Sequence, residues 1–235
     1  METPSGICAV CGTQNPARSI GKLPEPAEPP DFDTRPGEPL RSTMDRWLQV
    51  CERCGYAAED ISKASSQAAA VVDTEEFQQL RIEEPVPSAA RPFILYAHLL
   101  AKLHQSADAG WSYLHAAWNC DDASDEEAAV LCRIRAIEMW KRGKAAGESF
   151  GDDMASEFAL ITDVYRRTGQ FEQATVACAE GLDIEDMSPA LEAVLRRQMV
   201  LIQSHDTAAH SIKELLRSDA DSSEDVDQGR NGREG

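Results

Sequence analysis

Two Cys-x-x-Cys-Gly runs constrain this chain more than any other feature: Cys8-Ala9-Val10-Cys11-Gly12 and Cys51-Glu52-Arg53-Cys54-Gly55. In each, two thiols stand one tight turn apart and a glycine follows the second. That glycine can take a positive φ, which lets backbone amides turn toward the sulfurs. Two such knuckles supply four ligands, the closed tetrahedral set that structural zinc prefers. Cys8, Cys11, Cys51 and Cys54 are therefore the expected metal ligands, with zinc the expected ion; iron fits the same four-thiolate geometry. With sulfur at every position no site is left for water or substrate, which argues against Lewis-acid hydrolysis. The main rival reading is a thiol redox sensor that releases zinc on oxidation. A thioredoxin-type role fits poorly, because neither pair opens a helix after the strand of a βαβ unit.

The chain carries seven cysteines, and residues 1–6 lack the basic-then-apolar pattern of an export signal. Both point to a reducing compartment, with the cytoplasm as the expectation. No run of about 18 apolar residues is present, so no membrane span is expected. The formal charge is −18, divided unevenly: residues 1–56 hold six basic and eight acidic residues, leaving 17 against 33 for the remainder. A nucleic-acid binder needs a cationic surface to displace counterions from phosphates. The charge disfavours nucleic acid and anionic membranes alike. A nucleic-acid-associated zinc ribbon stays as an alternative only because many zinc ribbons serve transcription or translation.

Between the knuckles lie 39 residues, and from Thr13 to Asp45 they are irregular and rich in proline. Proline lacks the amide donor and restrains its predecessor, so neither helix nor central strand is expected there. Trp47–Val50 reads as a short strand before the second knuckle. Without metal this segment has too few apolar residues to order itself. Ala57–Ala70 has helical composition, Thr74–Leu80 is a further short helical candidate, and Pro85 and Pro87 close the transition.

From Arg91 the pattern is helical almost throughout, with seven apolar faces that begin at Phe93 and end at Leu216. Ser124 and Glu127 read as a capping box for the third of these helices. Gly143, Gly147 and Gly151 mark its weakening end. The run Tyr165-Arg166-Arg167-Thr168-Gly169-Gln170-Phe171-Glu172-Gln173-Ala174 closely resembles the turn of a tetratricopeptide repeat. Cys178 and Gly181 hold its later small positions. A weaker echo, 37 residues on, sets Ile202, Asp206 and Ser211 against Tyr165, Gly169 and Ala174. The polar tail from Ser218 cannot bury enough apolar surface to order.

No catalytic constellation appears. Cys120, Cys132 and Cys178 lie on helical faces and read as buried small apolar side chains. The five histidines include no metal-binding HExxH or ExxH pair, and Asp206 with His210 reads as a local surface pair. Asp121-Asp122 and Asp152-Asp153 sit at helix junctions, where capping explains them. The tryptophans, Tyr96, Tyr113 and Tyr165 read mainly as helix-packing residues, some of which could line a peptide groove.

These features together resemble a bacterial family, classed under a domain of unknown function. Its members pair an N-terminal CxxC…CxxCGYA segment with tetratricopeptide-like helices. The likeness rests on Cys8/Cys11, Asp31-Phe32-Asp33-Thr34-Arg35-Pro36, Cys51-Glu52-Arg53-Cys54-Gly55-Tyr56-Ala57-Ala58 and Ala116-Ala117-Trp118, within residues 7–216. This chain departs from the pattern in lacking proline after Cys8 and Cys51. The resemblance implies an architecture and the four ligands, not a reaction. The expected fold is mainly α: a zinc-ribbon-like module over 1–56, a helical transition over 57–90, a tetratricopeptide-like helical domain over 91–217 and a disordered acidic tail over 218–235. The expected function is zinc-dependent but non-enzymatic, a scaffold whose helical domain binds a protein partner. No residue pattern speaks to oligomeric state.

Overall fold

A computed structural model of the protein describes residues 6–16, 22–83 and 85–215. The acidic tail expected over 218–235 lies outside them. The fold is mainly helical with two minimal hairpins. In the first, β1 (Gly6–Ile7) pairs antiparallel with β2 (Gln14–Asn15); in the second, β3 (Gln49–Val50) pairs with β4 (Ala57–Ala58). The expected strand over Trp47–Val50 is thus its last two residues, because a 3-10 turn over Arg41–Arg46 precedes it and Trp47 still bonds back to Met44 O. The expected helix over Ala57–Ala70 is corrected at its start. Gly55 turns the chain back, so Ala57 and Ala58 complete a hairpin, and helix begins only at Ser66.

The helices are α1 (Ser66–Val72), α2 (Glu75–Glu83), α3 (Arg91–Lys102), α4 (Ser106–Asp122), α5 (Glu126–Ala145), α6 (Met154–Arg167), α7 (Phe171–Leu182) and α8 (Pro189–Gln203). The seventh apolar face expected after Arg91 starts as a helical turn at 212–215, where the described residues end. Five of these helices stop in one way. The residue after the cap takes a positive φ: His104 (60°), Ser124 (58°), Gly147 (84°), Gly169 (72°) and His205 (55°). The next amide then returns to the carbonyl five residues back, at 2.9–3.0 Å: Gln105 to Leu100, Asp125 to Cys120, Glu148 to Gly143, Gln170 to Tyr165 and Asp206 to Leu201. This is the glycine-type helix stop, made in three cases by residues that bear a Cβ.

Two sequence expectations shift by one residue as a result. Ser124 ends α4 rather than capping α5; the cap is Asp125, whose carboxylate accepts from Ala128 N at 3.1 Å. In the weak repeat echo, His205 rather than Asp206 occupies the place of Gly169, so the spacing is 36. Asp153 does cap α6, in a reciprocal box with Ser156. Asp121 has another role: it pairs with the buried Arg133 at 2.6 Å.

The chain forms two compact units, Met1–Pro24 with Ser42–Asp152 and Glu25–Arg41 with Asp153–Gly235. In the first, α3 packs on α4 and α4 on α5, and the hairpins share a core with the first helices. Cys8, Cys51, Tyr56 and Ile61 are buried there beside Val72, Phe77, Leu95 and Leu99. In the second, α6, α7 and α8 pack on one another. The small positions of the tetratricopeptide-like turn are needed here: a Cβ on Gly181 would stand 2.9 Å from Phe158 Cβ and 3.0 Å from Leu195 Cδ1. Part of the proline-rich stretch is built into this unit. Asp31 bridges Ser211, Phe32 N donates to His210 O at 2.9 Å, and Ile212 N donates to Pro30 O at 3.0 Å. Charged groups hold it: Arg167 Nη1 reaches Asp33 Oδ2 at 3.3 Å. Arg166 contacts Asp163 Oδ1 at 2.6 Å and donates to Asp206 O and Ala208 O at 2.7 and 2.9 Å.

Removing one member of a buried ion pair leaves its partner's charge uncompensated. Arg166→Ala should therefore cost about 3–5 kcal/mol in urea unfolding. Arg196→Ala, which breaks only an exposed pair with Glu192, should cost about 0.5 kcal/mol or less. Equal losses would contradict this assignment. Asp31 offers a pH test. Burial and then the Asp33 charge push its carboxyl up to about 6, against Arg41, Arg35 and Arg167. The native chain then holds a proton that the unfolded chain releases near pH 4, so Asp31's contribution falls as pH rises from 4 through 6. Asp31→Asn should gain on the native protein over that window, by about 1–2 kcal/mol at pH 7 once solvent screening and the lost Arg41 contact are allowed for. Urea midpoints at pH 4 and pH 7 check it, and a pH-independent difference counts against it.

Candidate metal centre

Each knuckle is the tip of one hairpin, and the two are built alike. Cys8 N donates to Thr13 O and Cys51 N to Tyr56 O, both at 2.9 Å. Gly12 N returns to Cys8 O and Gly55 N to Cys51 O, both at 2.8 Å, and these glycines sit at φ +70° and +78°. A side chain at either would strain the turn that brings the two sulfurs to one side. The first cysteine of each pair is buried, the second half-buried.

The hairpins meet tip to tip. All four sulfurs lie within 4.8 Å of one another, with Cys8 Sγ 3.7 Å from Cys54 Sγ and Cys11 Sγ 3.5 Å from Cys51 Sγ. These separations far exceed the ~2.05 Å of a disulfide. They match the ~3.8 Å edge of a tetrahedron of sulfurs about a metal bonded at ~2.3 Å. The cluster can hold a metal ion. It is the one group of three or more such ligands brought together among the described residues.

Burial pushes the Cys8 and Cys54 thiols up. Burial also acts against Cys11, but hydrogen bonds from the Thr13 hydroxyl and amide, together with Cys51 and Cys54, outweigh it and bring Cys11 down to about 6. Thr13 Oγ1 lies 3.3 Å from that sulfur. The Thr13 contacts thus favour the thiolate form of Cys11, and metal binding would deprotonate the ligands it engages.

A supporting shell surrounds the sulfurs. Asn15, buried at the foot of the first hairpin, donates from Nδ2 to Thr13 O at 3.0 Å and points the same amide at Cys51 Sγ, 3.6 Å away. Its Oδ1 accepts from Glu52 N at 3.0 Å. One side chain thus ties the first knuckle to the second. From α2, Gln78 Nε2 donates to Cys54 O at 3.0 Å and Arg81 Nη1 to Arg53 O at 2.6 Å. The sequence reading missed all three; an amide three residues past a knuckle carries no pattern of its own.

Other sequence candidates fall elsewhere. Cys120, Cys132 and Cys178 are buried in helices, and Cys178 Sγ donates to Leu195 O at 3.2 Å. Asp206 and His210 do pair, at 3.1 Å, but His210 is half-buried, also meets Glu214 at 2.8 Å, and stacks on Phe32. Among the described residues no helix is long and apolar enough to cross a membrane.

Comparison with protein-family models, with curated proteins and with solved structures finds no match. The cysteine cluster and helical body on which the bacterial-family resemblance rests are both present, without family evidence beside them. Supporting partners of ligands typically change metal affinity 10–100-fold when lost. Asn15→Ala should weaken metal binding by about that factor in a competition titration with a chelator, while far-ultraviolet circular dichroism stays unchanged.

Proposed function

We propose that this is a zinc-binding, non-enzymatic scaffold: zinc folds the N-terminal hairpins, and the helical body presents a surface to a protein partner. The observation that carries the reading is the four-sulfur cluster, all within 4.8 Å of one another with two separations of 3.5 and 3.7 Å, and the first cysteine of each knuckle buried. A tetrahedral ion held by four protein sulfurs has no open position for water, which suits a structural role. Zinc is favoured over iron because thiolate tetrahedra suit an ion without redox chemistry or geometric demands of its own. The buried Cys8 and Cys51 join the apolar core of the first unit, so binding energy would be folding energy there. The partner surface is expected to be basic, since the chain carries a formal charge of −18.

Elemental analysis of the purified full-length chain should give one zinc per chain, and Cys51→Ser should lose it together with the cooperative unfolding of the first unit. A metal-free protein with an unchanged fold after that substitution would overturn the zinc reading. The scaffold reading predicts a reproducible partner in cross-linking from native cells, released by salt; repeated absence of one removes it.

A second reading, a zinc-releasing thiol sensor, draws on the half-buried Cys11 and its lowered pKa. Oxidation would join two sulfurs as a disulfide, their two electrons reducing peroxide to water. Zinc release at micromolar peroxide supports this reading, and inert thiols oppose it.

A further inference from the structure

We propose that the first unit holds a binding pocket for an organic cation, with an N-methylated ammonium as its best-fitting head group. The pocket is a cavity of about 320 Å³ walled by Trp47, Phe93 and Tyr96 of α3, and Trp111 and His115 of α4. That volume stands at the small end of ligand sites, right for one compact head group and its stem. Helical spacing makes the wall: residues 93 and 96 are three apart, and 108, 111 and 115 lie three and four apart, so each set shares a face.

His115 is the hub that fixes the rings. It meets Trp47 edge-on at 5.2 Å, Phe93 edge-on at 5.7 Å, and Trp111 at 6.2 Å. Three polar hydrogens of the wall, two indole and one hydroxyl, are turned to other partners. Trp47 Nε1 donates to Thr43 Oγ1 at 3.1 Å and Trp111 Nε1 to Phe150 O at 2.8 Å. The Ser112 hydroxyl donates to Phe93 O at 2.7 Å. What the indoles offer the cavity is therefore carbon and π surface rather than donors.

The charged groups at the cavity are both acidic. Glu59 and Asp108 line it from exposed positions, and no lysine or arginine joins them. Burial first, then these two carboxylates, pushes the Tyr96 hydroxyl upward, which places both charges within electrostatic reach of the wall. Aromatic faces are electron-rich and attract cations by about 0.5–2 kcal/mol each, more as water is excluded. Carboxylates at the rim add long-range attraction, and the overall charge of −18 has the same sign. An anion meets repulsion from both. A primary ammonium brings three donors that want acceptors, and the inner wall supplies few. A trimethylammonium group brings the charge without donors.

This inference does not rest on the zinc or scaffold readings, and its test uses the full chain as purified so that they fail separately. Tryptophan fluorescence and calorimetry are followed against tetramethylammonium, methylammonium and the uncharged 3,3-dimethylbutanol. The expected result is saturable binding of tetramethylammonium, at least tenfold tighter than the alcohol or methylammonium. The double variant Glu59→Gln, Asp108→Asn, both exposed, should weaken it several-fold, with thermal unfolding lowered only slightly, by the loss of Asp108's charge in the first turn of α4. Trp111→Phe keeps the ring but loses the indole, and should weaken it as well. Choline and a peptide bearing trimethyllysine then separate the sources: tighter choline binding assigns a small metabolite, tighter peptide binding a protein tail. Equal binding of the uncharged alcohol, or full binding by the acidic double variant, overturns the proposal. Methylammonium binding as tightly as tetramethylammonium overturns the assignment of the head group.

Discussion

The convergence of four sulfurs from two hairpins governs the first unit. Each hairpin has only two residue pairs of ladder, far too little to stand alone in water. They are held by what they share: Cys8 and Cys51 in the core, Asn15 spanning the knuckles, and α2 clamping the second tip through Gln78 and Arg81. An ion at the cluster would close a loop of about forty residues, and the entropy of that closure grows only slowly with length. The loop can therefore be long at little cost. Here its middle, residues 25–41, belongs to the second unit.

The second dependence is on how helices end. Tight antiparallel hairpins need each helix to stop within one residue of its register. The chain achieves this five times with a positive-φ residue, yet only Gly147 and Gly169 are the residue type that favours it. At His104, Ser124 and His205 the left-handed backbone costs about 1–2 kcal/mol, offset by the amide that follows each, which returns to the carbonyl five residues back. His205 meets Phe171 edge-on at 4.7 Å, which fixes the end of α8 beside the start of α7. The repeat is thus more regular in backbone than in letters.

This explains what the sequence showed and what it hid. The cysteine ligands were legible because four soft ligands in two identical short motifs have few other uses. Helix faces were legible because their period is local. The turn at Gly169 was legible because glycine announces a positive φ, and its counterpart was misplaced by one residue because histidine does not. Asp125 as a cap was missed for the same reason: Ser124 offered an equally good local pattern. Contacts such as Asp33 with Arg167, 134 residues apart, leave no local trace. Nor does the meeting of Trp47 with His115, since each reads as an ordinary buried aromatic until the fold places them together.

Charge connects these levels. The chain has 23 basic residues against 41 acidic ones, and some of its arginines are spent inside. Arg133 and Arg166 are essentially buried, each against its own carboxylate. Such pairs cancel, so the full deficit of −18 is left to the remaining surface with fewer cations to interrupt it. A surface of that kind repels phosphate backbones and anionic lipid at long range. It also raises the local concentration of any cation near a cleft, and water-excluding aromatic walls strengthen the attraction further. The same imbalance that argues against nucleic acid therefore argues for positively charged ligands, whether one small head group or the basic face of a protein.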